Sequence, residues 1–189
     1  FVIAPPAVAA NRALIVTVDD YADDRLDSAA ADAAANDGAL IRKMLVDKLD
    51  FKDGDIQTLS DADATKGAIL QGIDAWLASG TAAGDHAYFY FAGQGYFATD
   101  QNGDEADGLD EALVPHDANS EGKDIAGVIS DDELTAAFKS RIPVFCPDLI
   151  GSELSIGIAR ARFEKKSQFT FDTTQDTMDM MQIAQKTRN

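Results

Sequence analysis

Apolar and polar positions follow two different periods in the first half of the chain. Three short runs, residues 12–18, 56–59 and 86–91, are rich in aliphatic and aromatic side chains and predict buried strands. The stretches between them repeat apolar residues every three to four positions, which predicts two amphipathic helices. The first helix spans about 29–49, and the second carries the apolar residues from Ile69 to Leu77. This alternation of strands and helices predicts a parallel sheet.

The pattern weakens in the second half. An acidic loop is predicted for residues 100–111, and a helix is predicted from residue 131 to about 140, capped by Ser130 or Asp131. Apolar residues recur less regularly after this helix. The candidate elements there are a strand at 143–146, a strand at 169–171 and a helix at 176–186.

The predicted organisation is one folded domain with two flanking segments. With 189 residues, 46% of them hydrophobic, the chain is long enough for one domain with a core. The domain is predicted to span residues 12–151, and residues 152–189 form a divergent C-terminal segment. Residues 1–11 are either a linker or a remnant of a secretory signal, because Ala7-Val8-Ala9 fits the cleavage end of such a signal. A signal predicts a periplasmic or secreted protein, and a linker a cytoplasmic one.

Charge limits the classes of partner. The formal net charge is -17 and the sequence pI is about 4.2. Nucleic acid phosphates and anionic lipid head groups would be repelled, so cations and proteins are the natural partners. No apolar run approaches the roughly 20 residues of a membrane helix, which predicts no membrane span.

Several separate segments carry a family resemblance. They are RALIVTVDDY from Arg12, AAANDGALI from Ala33, FYFAGQG from Phe89, GDEADGLDEALVPHD from Gly103 and ISDDEL from Ile129. Together they resemble the catalytic large-subunit region of metacaspases and bacterial caspase-like peptidases (peptidase C14), over roughly residues 12–151. The resemblance implies an α/β fold of the caspase type, with three layers and a mostly parallel central sheet flanked by helices. It also implies a cysteine peptidase, in which a thiolate attacks the peptide bond and a histidine protonates the leaving amine.

Both catalytic positions of that family are altered here. The histidine of its Gly-His-Gly segment falls on Gln94, whose amide has no titratable proton near neutral pH. If Gly151 ends the family's nucleophile segment, Asp148 takes the cysteine position and Cys146 an aspartate position. The resemblance therefore predicts a catalytically silent domain that acts as a regulatory or interaction module.

An active enzyme is the alternative. Cys146 follows Gln94 by about 50 residues, which is the separation typical of a caspase dyad. In that interpretation Cys146 is the nucleophile of a calcium-dependent endopeptidase that cleaves after Arg or Lys. Its base would have to be His86 or His116, and each of these is more typical of a structural or surface histidine. Cys146 is better explained as a small buried apolar residue at a strand end.

The acidic loop suggests calcium, a hard cation that takes six to eight oxygen ligands. By resemblance, the metal ligands of this family map onto Asp110, Asp131 and Asp132. A second arrangement is EF-hand-like, with Glu105 replacing the glycine of its sixth position. Its ligands would be Asp100, Asn102, Asp104 and Glu111. A solvated turn with capping aspartates is the third possibility.

The resemblance also implies a substrate pocket and a partner. Asp37 corresponds to an acid that receives Arg or Lys in the family, although the position of its acidic partner holds Cys146. Losing one carboxylate weakens bidentate capture of a guanidinium. Because few residues follow Gly151, the family's later strands are missing, and an exposed sheet edge is predicted to accept a partner chain or a second copy.

Overall fold

The structure is a computed structural model that describes residues 11–27, 32–78, 86–103, 105, 108–141 and 161–163. Cys146, Asp148 and Gly151 lie outside the described residues, as do the elements predicted at 143–146, 169–171 and 176–186. Predictions that rest on those positions therefore remain predictions.

A mixed β-sheet forms around strand β1 (Asn11–Thr17). Parallel neighbours flank β1, with β2 (Ile56–Ser60) on one side and β3 (His86–Thr99) on the other. Beyond residue 94, β3 turns to antiparallel pairing with β4, and β4 pairs with β7. The remaining strands are β4 (Leu109–Leu113), β5 (Asn119–Glu121), β6 (Asp124–Ala126), β7 (Ile129–Ser130) and β8 (Ala161–Phe163). β5 and β6 form a separate hairpin, and β8 lies parallel to Gly93–Gly95 of β3.

Helices cover both faces of the sheet. Helix α1 (Ala33–Leu49) packs against the face that carries Ile15 and Tyr90. The opposite face, which carries Phe89, is covered by α2 (Lys66–Gln71), its π-helical continuation Gly72–Ala78 and α3 (Asp131–Arg141). The side chains of β1 and β3 are buried on both faces of the sheet, as expected for central strands. The architecture is the predicted three-layer caspase-like α/β fold. Among the described residues, no helix combines the length and apolarity needed to cross a bilayer.

Helix α1 begins with a cap from outside the helix. The residue before it, Asp32, has a left-handed backbone (φ 59°) and makes no side-chain cap. Instead Asp19, which follows β1, accepts the free N–H groups of Ala34 and Ala35, both at 2.8 Å. Asp61 after β2 in turn accepts the backbone N–H of Asp19 at 2.9 Å. Two aspartates thus fix the start of α1 at the carboxyl end of the sheet.

Two predicted boundaries were wrong. Strand β3 was expected to end at residue 91 but continues to Thr99, because its second half gains a new partner in β4. The acidic loop was expected to reach Glu111, but β4 begins at Leu109. The apolar pattern of this strand is not recognisable in the sequence, because Asp110 and Glu111 are charged. Asp110 is nevertheless only 5% exposed. β8 was not predicted, since three residues leave too short a pattern.

The predicted cap of α3 is confirmed. Ser130 Oγ accepts the N–H of Glu133 at 3.2 Å, and the Glu133 carboxylate accepts the N–H of Ser130 at 3.3 Å. This reciprocal pair is a capping box. It holds the start of α3 directly against β7, and therefore against β4.

Replacing Gly38 with alanine is expected to destabilise the fold. A Cβ at Gly38 would lie 2.5 Å from Thr17 Cγ2 on β1, so α1 would have to move away from the sheet. We expect a loss of about 1–3 kcal/mol in the free energy of unfolding, measured by urea denaturation. Gly67→Ala in α2 is the control, because no atom lies within 4 Å of its Cβ position. Equal effects of the two substitutions would contradict this packing.

Removing the Asp19 carboxylate is expected to weaken α1. Asp19→Ala leaves the N–H groups of Ala34 and Ala35 without their acceptor, and we expect a loss of about 1–2 kcal/mol in the free energy of unfolding. Asp20→Ala is the matched control, since its exposed side chain does not reach these groups. Thermal and urea unfolding of the two variants measure the difference. A loss for Asp20→Ala as large as that for Asp19→Ala would rule out the cap.

Candidate functional site

Gln94 lies at the carboxyl end of the parallel strands, two residues after Ala92, which pairs with the last residue of β1. Its side-chain Nε2 donates to the carbonyl of Leu26. Its backbone N–H donates to the Tyr21 hydroxyl at 2.7 Å, and its carbonyl accepts the N–H of Val114 at 3.0 Å. Gln94 therefore joins the segment after β1 to the segment after β4.

Tyr21 supports this arrangement from within the core. It is 2% exposed, and its backbone N–H donates to the carboxylate of Asp27 at 2.9 Å. Burial raises the pKa of Tyr21 well above its ordinary value, with smaller contributions from nearby carboxylates. The phenol therefore stays neutral, and its oxygen lies close to the position that a Cβ on Gly93 would occupy. The Gly93–Gly95 segment of β3 is packed closely against this ring.

The two histidines lie in different parts of the fold. His86 is the first residue of β3, at the opposite end of the parallel sheet from Gln94. The two are eight positions apart along the strand, about 26 Å at the usual rise. His116 Nδ1 lies 2.8 Å from the carbonyl of Asp20, and its backbone bonds to Ala22 and Ala64. His116 thus connects three loops.

Asp37 lies in the first half of α1 and is half-buried. The next residue, Gly38, packs on Thr17 at the end of β1. Asp37 is therefore at the same end of the sheet as Gln94, and its substrate-pocket role stays a prediction. Its predicted neighbour Cys146 lies outside the described residues.

An open cavity of about 500 Å³ lies between the β3–β4 hairpin, β6 and the start of α3. Its apolar wall includes Tyr96, Ile125 and Val128. Four carboxylates also line it, those of Asp110, Asp124, Asp132 and Glu133. Tyr96 donates to Asp124 at 3.1 Å, and burial, with this hydrogen bond, raises the pKa of Tyr96. Lys66 neutralises Glu133 across 2.7 Å. The cavity therefore has a mixed lining with excess negative charge.

The three predicted metal ligands lie in one region of the protein, but their carboxylates do not form one group. Asp110 and Asp132 line the cavity. Asp131 groups instead with Glu105 and Glu111, with one carboxylate oxygen from each within 4.8 Å of the others. The antiparallel pairing of Ala112 with Ser130 explains this, because the next step of the register sets Asp131 beside Glu111. The sequence identifies Glu105 only as the residue that replaces the sixth-position glycine of an EF-hand. Its position in the sequence does not indicate that it lies near Glu111 and Asp131.

One carboxylate oxygen of this group lacks a hydrogen-bond donor. Asp131 Oδ1 is buried and has no hydrogen-bond partner. A buried carboxylate oxygen without a donor is unfavourable unless a cation or solvent satisfies it. The donor set is entirely oxygen, as calcium prefers. These residues therefore fit a hard divalent cation.

The loop before β4 is organised by Asp100. Its carboxylate accepts the N–H groups of Asn102, Gly103 and Glu105 at 2.9, 2.7 and 3.1 Å, and these bonds lower its pKa. Asn102 then reaches α3, where its Nδ2 donates to Asp132. The loop joins two strands rather than the two helices of an EF-hand. Residues from both predicted calcium arrangements nevertheless meet here, so the two predictions concern a single place.

Comparisons with known proteins agree with this geometry. The family profile "Metacaspase, peptidase C14 domain" matches residues 11–146. Metacaspase-2 of Arabidopsis thaliana is 32% identical over 145 residues, which cover 74% of this chain and 32% of that protein. Metacaspase-1 of Mycosarcoma maydis is 38% identical over 101 residues, or 51% of this chain and 24% of that protein. The chain thus spans a third or less of the length of these relatives.

A solved structure supports the fold. Protein GSU0716 from Geobacter sulfurreducens superposes with a TM-score of 0.52 at 22% identity, covering 68% of this chain and 44% of that one. At this identity the likeness concerns the fold alone. The family match covers the strand that carries Gln94, the acidic loop and the start of α3. The chain belongs to the metacaspase family of peptidase C14 domains.

Proposed function

We propose that this domain is a catalytically silent member of its peptidase family that works as a regulatory or interaction module. The observation that carries the proposal is the environment of Gln94. By the sequence resemblance, Gln94 takes the family's histidine position, and its amide donates to the Leu26 carbonyl. An amide donor held by a backbone carbonyl contributes to structure and has no group that gains or loses a proton near neutral pH.

Among the described residues, the polar groups near Gln94 are engaged in structural contacts. The Tyr21 phenol has a raised pKa and accepts from the Gln94 backbone. His116 directs Nδ1 at the carbonyl of Asp20, on a loop that its backbone also holds. A thiolate nucleophile needs a base or acid within hydrogen-bond reach. The described residues at this end of the sheet therefore favour a binding role over peptide hydrolysis.

Calcium is the proposed ligand of the acidic region. The proposed ligands are Asp110, Asp131 and Asp132, and Glu105 and Glu111 lie close enough to Asp131 to join them. A bound ion would neutralise carboxylates that otherwise repel one another and would satisfy Asp131 Oδ1. It would connect the loop before β4 to the start of α3. Its role is then to order this surface for a partner.

The proposed partner is a protein or peptide. Among the described strands, β2 ends the sheet order and pairs on one side with β1. An outer strand of this kind accepts an added strand through its free backbone groups. A short strand of the chain itself, β8, lies against Gly93–Gly95, so this part of β3 has an intramolecular neighbour.

Peptide cleavage tests the silent state. We expect no turnover of fluorogenic peptides with Arg or Lys before the scissile bond, with or without millimolar calcium, because Gln94 cannot act as an acid or base. The matched variant is Cys146→Ala, and circular dichroism verifies folding. Calcium-dependent turnover that Cys146→Ala abolishes would overturn the proposal and favour the active endopeptidase.

Calcium binding is expected to depend on Asp131. Asp131→Asn keeps the size of the side chain but removes a charged ligand, and we expect Kd to rise by roughly tenfold or more in isothermal titration calorimetry. Asp47→Asn is the control with the same charge change, since Asp47 pairs with Lys43 on α1, on the other side of the sheet. Equal weakening by both variants would point to general charge rather than to this site.

A further inference from the structure

Asn102 is the one asparagine of the chain that precedes a glycine. Both residues are exposed in the loop before β4, and Gly103 has a positive φ of 80° with no atom within 4 Å of its Cβ position. Asparagine is a thermolabile residue, and it is least protected before glycine, because the following residue then has no Cβ to shield its backbone nitrogen. The fold thus presents a chemically reactive pair at the surface.

The reaction open to this pair is a cyclisation followed by hydrolysis. After losing its proton to solvent hydroxide, the Gly103 nitrogen attacks Cγ of the Asn102 side chain. The new N–Cγ bond replaces the Cγ–Nδ2 bond, and Nδ2 leaves as ammonia with a proton taken from water. Water then adds to either carbonyl of the cyclic imide and breaks the bond from that carbonyl to the nitrogen. Addition at Cγ gives aspartate, and addition at the main-chain carbonyl gives isoaspartate, in which the backbone runs through Cγ.

Asp100 restrains the nucleophile of this reaction. Its Oδ1 accepts the N–H of Gly103 at 2.7 Å and the N–H of Asn102 at 2.9 Å. A hydrogen bond to a carboxylate stabilises the protonated amide, so the Gly103 nitrogen has to give up this bond before it loses its proton and attacks. The turn that presents the pair at the surface therefore also slows its reaction.

We propose that Asn102 is a self-modification site whose deamidation the Asp100 carboxylate restrains. The Nδ2 that leaves as ammonia is the group that donates to Asp132 at the start of α3. The product carries a carboxylate in its place, which repels Asp132 instead of donating to it. Deamidation therefore adds negative charge to the acidic loop and weakens its hydrogen bonding to α3. The proposal does not depend on calcium binding or on the catalytic state of the domain.

Incubation of the intact protein at mildly alkaline pH and body temperature tests the site. Peptide mass spectrometry measures the replacement of NH₂ by OH at each asparagine, and fragmentation distinguishes aspartate from isoaspartate. We expect Asn102 to be modified ahead of Asn119, which is also exposed but precedes Ser120, and to give both products. Modification of Asn119 ahead of Asn102 would overturn the proposal. Aspartate without isoaspartate would also overturn it, because that outcome indicates direct hydrolysis.

Two glycine variants separate this chemistry from general changes in the loop. Gly103→Ala should slow the reaction at Asn102 by about tenfold, because the added Cβ crowds the attacking nitrogen and disfavours the positive φ. Gly108→Ala is the matched control, since Gly108 has a positive φ of 75° in the same loop and equally open surroundings, but does not follow an asparagine. Equal slowing by the two variants would contradict attack by the Gly103 nitrogen.

Two variants of Asp100 test the restraint, with circular dichroism to verify folding. Asp100→Ala removes the acceptor of the Gly103 N–H and should raise the rate at Asn102 by roughly fivefold. Asp100→Asn keeps the size and a neutral acceptor oxygen, so its rate should lie between those of Asp100→Ala and the unaltered protein. Equal rates in the three proteins would overturn the restraint by Asp100.

Discussion

The structure depends on carboxylates that accept backbone N–H groups. The loops that follow parallel strands lie at the carboxyl end of the sheet. Each loop has backbone N–H groups that no strand or helix carbonyl accepts. In this chain aspartates supply the missing acceptors, among them Asp19, Asp23, Asp27, Asp61, Asp100 and Asp117. Many of the aspartates therefore act as hydrogen-bond acceptors within the fold. The region near Asp131 differs, because there carboxylates face one another and one buried oxygen has no donor.

The same requirement explains why glutamine is compatible with the position of Gln94. A side chain there lies beside the Leu26 carbonyl, which needs a donor, and the backbone N–H at residue 94 lies beside a neutral phenol. Glutamine meets the first need without bringing a charge into a half-buried site. The strand that carries Gln94 is retained, and the polar contacts of Gln94 are hydrogen bonds to the backbone and to Tyr21. A shared fold does not by itself fix the chemistry of a site.

The sequence predicted the elements that are strongly periodic. β1, β2, α1 and the first half of β3 follow apolar patterns, and Ser130 was identifiable as a cap from the glutamate three residues later. Strand β4 was missed because Asp110 and Glu111 interrupt its apolar pattern. The meeting of Glu105, Glu111 and Asp131 could not be predicted, since it depends on the register between β4 and β7. Local patterns carry information on burial, but not on which distant strands align.

Strand β3 has a consequence for how the domain responds to force. Its 14 residues pair in parallel with β1 at one end and in antiparallel fashion with β4 at the other. Gln94 lies between the part of the strand that pairs in parallel and the part that pairs in antiparallel fashion. Thr99, five residues later, comes directly before the loop whose backbone N–H groups bond to Asp100. About 16 Å of continuous strand therefore joins the acidic surface to Gln94. A strand is stiff along its length, so tension on the hairpin would reach Gln94 through covalent backbone rather than through side-chain packing.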